Sequence, residues 1–173
     1  IENQSRHKDY VKKNLRIPNP FNCYSVDNYK TWVNKIKSEY KLTNIRFKIS
    51  PLKMATFNGR VCTFYSNLPN ICPELIYLDG PDQFKVQGHI NNISTNNLDM
   101  MPMSCDILKY ENFLTPGTII LTDGRSANAR FLKNNFQRNW DHKYIKEYDE
   151  NVFLLNEEPL GKYNFEQIRF YNN

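Results

Sequence analysis

Two short apolar runs, each ending in Asp-Gly, dominate the pattern of hydrophobic and polar positions along the chain. The first covers residues 75–79 and continues into Gly80-Pro81-Asp82, and the second covers residues 117–123. Short apolar runs closed by glycine or proline are typical of strands buried on both faces of a sheet, and ligands bind at the carboxyl ends of such strands. The pattern therefore predicts neighbouring strands whose terminal carboxylates, Asp79 and Asp123, lie side by side at a candidate active site.

The remaining pattern alternates between helices and strands. Alternation of this kind is typical of an α/β protein in which a mostly parallel sheet carries helices on both faces, and an antiparallel hairpin closes the chain here. Asp27 or Asn28 is the predicted cap of the second helix, and Ser126 that of the last. We predict helices over residues 5–15, 28–40, 103–113 and 126–136, strands over 21–26 and 45–49, hairpins over 57–65 and 144–155, and a loop over 83–101.

Composition fits one globular domain with a sizeable core. The chain has 173 residues, of which 40% are hydrophobic and 14% aromatic, and we assign Trp32, Phe47 and Phe131 to the core. The net charge of +5 permits an acidic partner without requiring one. Nucleic-acid binding is not favoured, because no motif combines basic and aromatic residues.

The absence of several sequence signals limits the expected location and partners. No apolar run approaches the length of a membrane span, and the first residues do not have the pattern of a signal peptide. The four cysteines show neither a CxxC pair nor metal-ligand spacing, which is typical of reduced thiols in a cytosolic protein. We therefore predict a cytoplasmic protein with a small-molecule or saccharide substrate and no membrane partner, and leave a homo-oligomer open.

Three segments resemble the class I S-adenosylmethionine-dependent methyltransferases. Residues 24–27 and the helix that follows resemble the second strand of that family, whose terminal acid binds the ribose hydroxyls. Residues 76–82 resemble its fourth strand and catalytic loop, and residues 114–123 resemble its L-x-P-G-G turn and fifth strand. The resemblance covers residues 20–160 approximately and implies a Rossmann-like three-layer sandwich. Residues 123–132 are similar to a methyltransferase-like group associated with bacterial surface-polysaccharide genes.

The glycine-rich part of the family pattern has no counterpart in this chain. Only six glycines are present and none forms a G-x-G pattern. In the family, this turn follows a first strand that would precede the helix predicted over residues 5–15. We therefore interpret residues 1–173 as a single methyltransferase-like domain and expect an N-terminal segment to supply its first strand.

The resemblance implies a cofactor, S-adenosylmethionine, and roles for particular residues. Asp27, Ser50 and Asp79 would bind the cofactor, while Asp79, Asp123 and His89 are the catalytic candidates. For Asp27 a helix-capping role is equally open, and Asp-Gly pairs also form turns for purely structural reasons. The implied reaction is O-methylation of a small or sugar-like hydroxyl, and the alternative is a non-catalytic binding or assembly module.

The helix after the second apolar run supplies the candidates for substrate binding. We assign this role to Asp82, Arg125, Asn128 and Arg130, because a guanidinium near a helix start can bind a carboxylate or phosphate. The alternative is that Arg130 pairs with an acid on the surface and that Arg125 is solvated. Paired strand-end acids can also hold Mg²⁺, but Gly124 stands where related metal sites offer a further ligand, so no metal ligands are assigned.

Overall fold

The computed structural model describes residues 23–40, 42 and 44–172, and the helix predicted over residues 5–15 lies outside them. The described chain forms nine strands and four α-helices. The strands are β1 (Cys23–Asp27), β2 (Ile45–Ile49), β3 (Leu52–Phe57), β4 (Arg60–Tyr65), β5 (Leu75–Leu78), β6 (Val86–Gln87), β7 (Ile119–Thr122), β8 (Trp140–Ile145) and β9 (Glu150–Leu155). The helices are α1 (Lys30–Glu39), α2 (Asp106–Tyr110), α3 (Ser126–Lys133) and α4 (Lys162–Asn172), with 3₁₀ turns at Gln83–Lys85 and Glu111–Phe113.

The described strands form three sheets rather than one mostly parallel sheet. β1 and β2 form a parallel pair, β3 lies between β4 and β6, and the largest sheet has the order β5-β7-β9-β8. β5 and β7 are parallel, whereas β9 is antiparallel to both of its neighbours. The predicted Rossmann-like three-layer sandwich is therefore wrong, and the described chain is a small mixed α/β structure.

A hairpin accounts for part of this difference. The sequence prediction ended the strand of residues 45–49 at Ser50-Pro51-Leu52, but Leu52 begins β3, which pairs antiparallel with β4 in its own sheet. The turn residues Asn58 and Gly59 have φ angles of 49° and 74°, the left-handed geometry that joins two strands tightly. The predicted turn is confirmed, but its strands pair with each other locally and do not extend a central sheet.

The main hydrophobic core lies between the largest sheet and the helices that cover it. Ile120 of β7, Leu132 of α3 and Phe153 of β9 are completely buried, and Phe131 packs against them from the edge. Each large side chain buried in this way stabilises the fold by about 1.5–3 kcal/mol. Phe136 contacts the Phe153 ring edge-on, with the ring centroids 5.5 Å apart. This core holds β7, and therefore the end of β7, in a rigid position.

The helices and the long loop differ in detail from the sequence prediction. The helix predicted over 103–113 is divided into α2 and a 3₁₀ turn, and the predicted cap Ser126 is instead the first residue of α3. Residues 83–101 are mostly irregular, as predicted, apart from the first 3₁₀ turn and β6. None of the four cysteines, which all lie within the described residues, forms a disulfide. No helix in the described ranges combines the length and the apolar character needed to cross a bilayer.

The last helix, α4, was not predicted. It is held against the start of β7, where Asn164 donates to the carbonyl of Pro116 at 2.9 Å. A Cβ at Gly117 would lie 2.8 Å from Cγ1 of Ile168, so the helix approaches the backbone where glycine leaves room for it. Much of the remaining surface of α4 is exposed, including 93% of Tyr163. Its apolar residues therefore do not form one regular buried stripe, the pattern by which a helix is predicted from sequence.

Candidate functional site

An open cleft of about 250 Å³ lies at the carboxyl ends of β1 and β5. Its walls combine acidic side chains, two aromatic rings, a glycine-proline turn and one arginine. The lining residues are Asp27, Tyr29, Trp32, Asp79, Gly80, Pro81, Asp82 and Arg125. The Asp-Gly-Pro-Asp segment that the sequence singled out therefore forms one side of this cleft.

The pairing of β5 with β7 brings the two strand ends together. The register aligns Leu75 with Ile119 and Leu78 with Thr122, so both strands end at the same level. Asp79 and Asp123 follow directly, and the backbone N–H of Asp123 still donates to the carbonyl of Leu78 at 3.4 Å. The sequence prediction that these two carboxylates are neighbours is confirmed by this register.

A side-chain amide ties the loop after β1 to the loop after β5. Asn28 Nδ2 donates to the backbone carbonyl of Asp82 at 3.0 Å, and the N–H of Asp82 donates back to Asn28 Oδ1 at 3.1 Å. This paired contact fixes Asp27 relative to the turn that carries Asp79. Asp27 Oδ1 also accepts from the N–H of Tyr29 at 2.6 Å, but Tyr29 is the N-cap residue of α1 and the helix has no side-chain cap, so the predicted cap at Asp27 or Asn28 is wrong.

Arg125 joins the two strand ends from the side of β7. Its Nε lies 3.1 Å from Asp123 Oδ2, and its Nη2 lies 3.8 Å from Asp79 Oδ1. The backbone N–H of Arg125 also donates to Asp123 Oδ1 at 3.3 Å. The guanidinium that the sequence assigned to an anionic substrate is thus engaged by two carboxylates of its own chain, and an external anion would compete with both.

The pKa values of two carboxyls, those of Asp123 and Asp27, lie above the usual value for aspartate. Burial raises the pKa of Asp123 to about 6, against the opposing pull of Arg125, and the Asp79 carboxylate raises it further. Burial also raises the pKa of Asp27, and the nearby charges of Asp82 and Asp79 add to this effect. The lining itself carries the three carboxylates of Asp27, Asp79 and Asp82 against the single guanidinium of Arg125. The cleft therefore has a surplus of negative charge.

Two phenols stand beside these acids. Burial raises the pKa of Tyr77 to about 12, with Asp79 and Asp123 contributing, and burial raises the pKa of Tyr65 with a further contribution from Asp27. Both hydroxyls therefore stay protonated near neutral pH. Their neutral state means that they add no charge to the acidic group.

Five of the predicted site residues do not line the cleft, and one of these, Asp123, lies beside it in contact with the lining residue Arg125. Ser50 is completely buried, its hydroxyl accepts from Asn67 at 2.9 Å, and its N–H donates to the Asp27 carbonyl. Asn128 is buried and accepts from the Ser104 N–H at 3.1 Å, which fixes α3 against the loop before α2. His89 and Arg130 are exposed and lie outside the cleft lining.

The sequence prediction missed the two aromatic side chains that line the cleft and the contact between Asn28 and Asp82. Trp32 was assigned to the core, but it is only partly buried and lines the cleft with Tyr29. Both residues come within a few positions of Asp27, where the first turn of α1 faces the same sheet edge. That proximity to a strand-end acid was the available signal. Nothing in the sequence indicates the contact of Asn28 with Asp82, because the two residues are 54 positions apart.

The described side chains do not form a metal site. Within residues 23–40, 42 and 44–172, no three His, Cys, Asp or Glu side chains come together in a way that could hold a metal ion. Asp79 and Asp123 instead share a guanidinium. Comparison of the chain with protein-family models, with curated proteins and with solved structures gives no significant match.

Proposed function

We propose that the cleft binds a small, positively charged, hydroxylated molecule and that this molecule is S-adenosylmethionine, used to methylate a hydroxyl group. The observation that carries the proposal is the surplus of negative charge where Asp27, Asp79 and Asp82 line the same cleft. The overturned fold prediction gives the proposal no support. The support comes from the chemistry of the cleft and from the sequence segments that form it.

The lining groups fit the parts of this cofactor. A carboxylate such as Asp27 can accept hydrogen bonds from both hydroxyls of a ribose. Trp32 and Tyr29 offer apolar ring surface for a nucleobase, and Asp79 offers a charge for a cationic group. When bound, S-adenosylmethionine supplies an electrophilic methyl group on a positively charged sulfur.

Asp123 is the candidate base for the acceptor hydroxyl. A carboxyl with a pKa of about 6 is largely ionised at neutral pH and can still take a proton readily. Asp123 would accept the hydroxyl proton of the acceptor, while the acceptor oxygen bonds to the methyl carbon and the bond from that carbon to sulfur breaks, leaving neutral S-adenosylhomocysteine. Carboxylates and backbone groups also suit a sugar-like acceptor, whose hydroxyls donate hydrogen bonds. Small molecules and saccharides are therefore the proposed substrate class.

Binding can be tested by calorimetry on the wild-type chain with S-adenosylmethionine and S-adenosylhomocysteine. Asp27→Ala should weaken binding by about 1.5–3 kcal/mol, the scale of hydrogen bonds to a charged group. Asp27→Asn, which keeps the bond to Tyr29, should fall between Asp27→Ala and wild type. Glu39→Gln is the matched control, because this exposed acid lies in the last turn of α1, away from the cleft. No binding of either compound by wild type would remove the proposal.

A non-catalytic binding module is the second candidate, and the pairing of Asp123 with Arg125 favours it. A base that is already held by a guanidinium at 3.1 Å is less available to an acceptor. The two candidates predict the same cofactor binding and differ only in turnover. Incubation with radiolabelled S-adenosylmethionine and a panel of hydroxylated acceptors separates them, because a binding module transfers no label to any acceptor.

A further inference from the structure

The guanidinium of Arg125 lies in the cleft at a position that is open because residue 80 is a glycine. Gly80 has a φ angle of +82°, and a Cβ at this position would lie 2.2 Å from Arg125 Nη1. The guanidinium therefore packs against the bare backbone of the turn after β5, where a larger residue would exclude it. Together with the contacts to Asp79 and Asp123, this places the positive group between the ends of two strands.

The two ion pairs of Arg125 are unequal. The contact of Nε with Asp123 is 3.1 Å long, whereas the contact of Nη2 with Asp79 is 3.8 Å long, and 53% of the Asp79 side chain is exposed. An ion pair that is long and exposed is easily exchanged for another partner. Asp79 can therefore leave Arg125 at little cost, while Asp123 retains it.

The other charged groups around the cleft do not replace Arg125. Asp27 and Asp82 add negative charge to the lining, and the ammonium group of Lys85 lies 4.7 Å from the Tyr29 ring centroid, at the rim. Among the lining residues, Arg125 is the one cation. When it turns away from Asp79, the cleft gains an uncompensated carboxylate, which a positively charged ligand can neutralise.

We propose that Arg125 is a displaceable internal cation that sets the charge selectivity of the cleft. A ligand with an ammonium or sulfonium group takes the place of the guanidinium beside Asp79, while Arg125 stays on Asp123. The inference rests on the proposed function, because it concerns the charge of the ligand that the same cleft takes. Arg125 acts here as a specificity residue that competes with the ligand.

The selectivity is measurable as the ratio of the dissociation constants of S-adenosylhomocysteine, which has a neutral sulfur, and S-adenosylmethionine. Arg125→Met removes the competing cation and should raise the preference for S-adenosylmethionine about two- to fivefold, the scale of one exposed ion pair. Arg125→Lys keeps a cation and should stay closer to wild type, and Asp79→Asn should remove the preference. A lower preference in Arg125→Met, or an equal change for both compounds, would overturn the inference.

A second probe separates this inference from the proposed function. Choline and its uncharged isostere 3,3-dimethylbutan-1-ol can be titrated while the amide signals of Asp79 and Gly80 are followed by NMR. Larger shifts with choline, enhanced in Arg125→Met, would support the charge selectivity even if wild type binds neither nucleoside. Equal shifts with both probes and no effect of Arg125→Met would contradict it, whatever the outcome with the nucleosides.

Discussion

Two arginines, each held by carboxylates, differ in how completely the protein satisfies them. Arg138 donates from Nε to Glu157 at 3.1 Å and from Nη1 to the backbone carbonyl of Glu111 at 3.0 Å, and it also bonds the carbonyl of Leu114. Its Nη2 pairs with Glu157 as well. In Arg125 one close contact, to Asp123, is accompanied by a long one to Asp79. The side chain of Arg138 is 16% exposed and that of Arg125 is 34% exposed.

The carboxylates around the two arginines differ in the same way. Glu111 is buried, and it accepts from the backbone N–H of Arg138 at 3.0 Å and from Trp140 Nε1 at 2.9 Å. The hydrogen bond from Arg138 lowers the pKa of Glu157. Beside the cleft, by contrast, burial and the charge of Asp79 raise the pKa of Asp123.

The difference separates a stabilising cluster from a binding surface. Around Arg138, charges and backbone groups satisfy one another, so an external ligand has nothing to add. In the cleft the acids outnumber the cation and one ion pair is long, so a ligand can improve the electrostatics. The sequence around an arginine does not tell a stabilising cluster from a binding surface. The distinction depends on how many hydrogen-bond donors each nearby carboxylate receives in the folded structure.

The largest expected effect is the difference between Arg138→Met and Arg125→Met in the free energy of unfolding that each variant loses. Arg138→Met removes the guanidinium donors from Glu157 and from the carbonyls of Glu111 and Leu114 and should cost about 2–4 kcal/mol, somewhat less than for a fully buried pair. Arg125→Met should change stability by about 0–1 kcal/mol, as for an exposed pair. Urea unfolding of the two variants beside wild type measures both values, and equal losses would contradict the distinction.

A smaller effect is expected for Glu111→Gln, which keeps the shape of the side chain and removes its charge. The amide would turn an NH₂ group toward the N–H of Gln137, which now donates to both carboxylate oxygens at 3.1 and 3.3 Å. We expect a loss of about 2 kcal/mol, the cost of unsatisfied buried donors. A variant as stable as wild type in thermal and urea unfolding would show that this carboxylate is not the centre of the cluster.

Local sequence patterns were sufficient to predict strand ends and turns. The apolar runs that end in Asp79 and Asp123 form adjacent parallel strands, and Asn58-Gly59 forms the turn of a hairpin. These features depend on a few neighbouring residues, on short apolar runs and on the φ preference of glycine. The placement of two carboxylates at one edge followed from such local information.

The pairing of strands into sheets could not be read from the same patterns. Alternating strands and helices predicted one mostly parallel sheet closed by an antiparallel hairpin. The hairpin of β8 and β9 is confirmed, but β1 and β2, and β3 with β4 and β6, form sheets of their own. Strand pairing is decided by long-range contacts whose sequence signal is weak. The cluster of Glu111 and Arg138 was missed for the same reason, since 27 positions separate the two residues.

The two clusters should respond to pH in opposite directions. For Asp123 the folded pKa of about 6 lies above the ordinary value of 3.8, so the folded state holds more protons between these values and loses stability as the pH rises. For Glu157 the pKa is lowered in the folded state, so the stability that its ionised carboxylate contributes is lost as the pH falls. The stability of wild type relative to Asp123→Asn should therefore decrease by about 1–2 kcal/mol from pH 4 to pH 7, after allowance for solvent screening. A constant difference across this range would contradict the raised pKa.

The smallest predicted effect, Asp79→Asn, has the opposite sign to that of Glu111→Gln. Asp79 is 53% exposed, its ion pair with Arg125 is 3.8 Å long, and its charge raises the pKa values of Asp27 and Asp123. Removing the charge relieves repulsion among the acids at the loss of a weak ion pair, so the fold should gain about 0–1 kcal/mol.

Urea unfolding at low and high salt tests this sign, because the gain depends on charge repulsion and should shrink as salt screens it. Glu39→Gln is again the control, since it removes an equal charge from a residue paired with Lys35 outside the cleft. A clear loss of stability in Asp79→Asn would mean that the ion pair with Arg125 outweighs the repulsion. The cleft would then resemble the Arg138 cluster, as a set of mutually satisfied charges rather than a surface that stays open for a ligand.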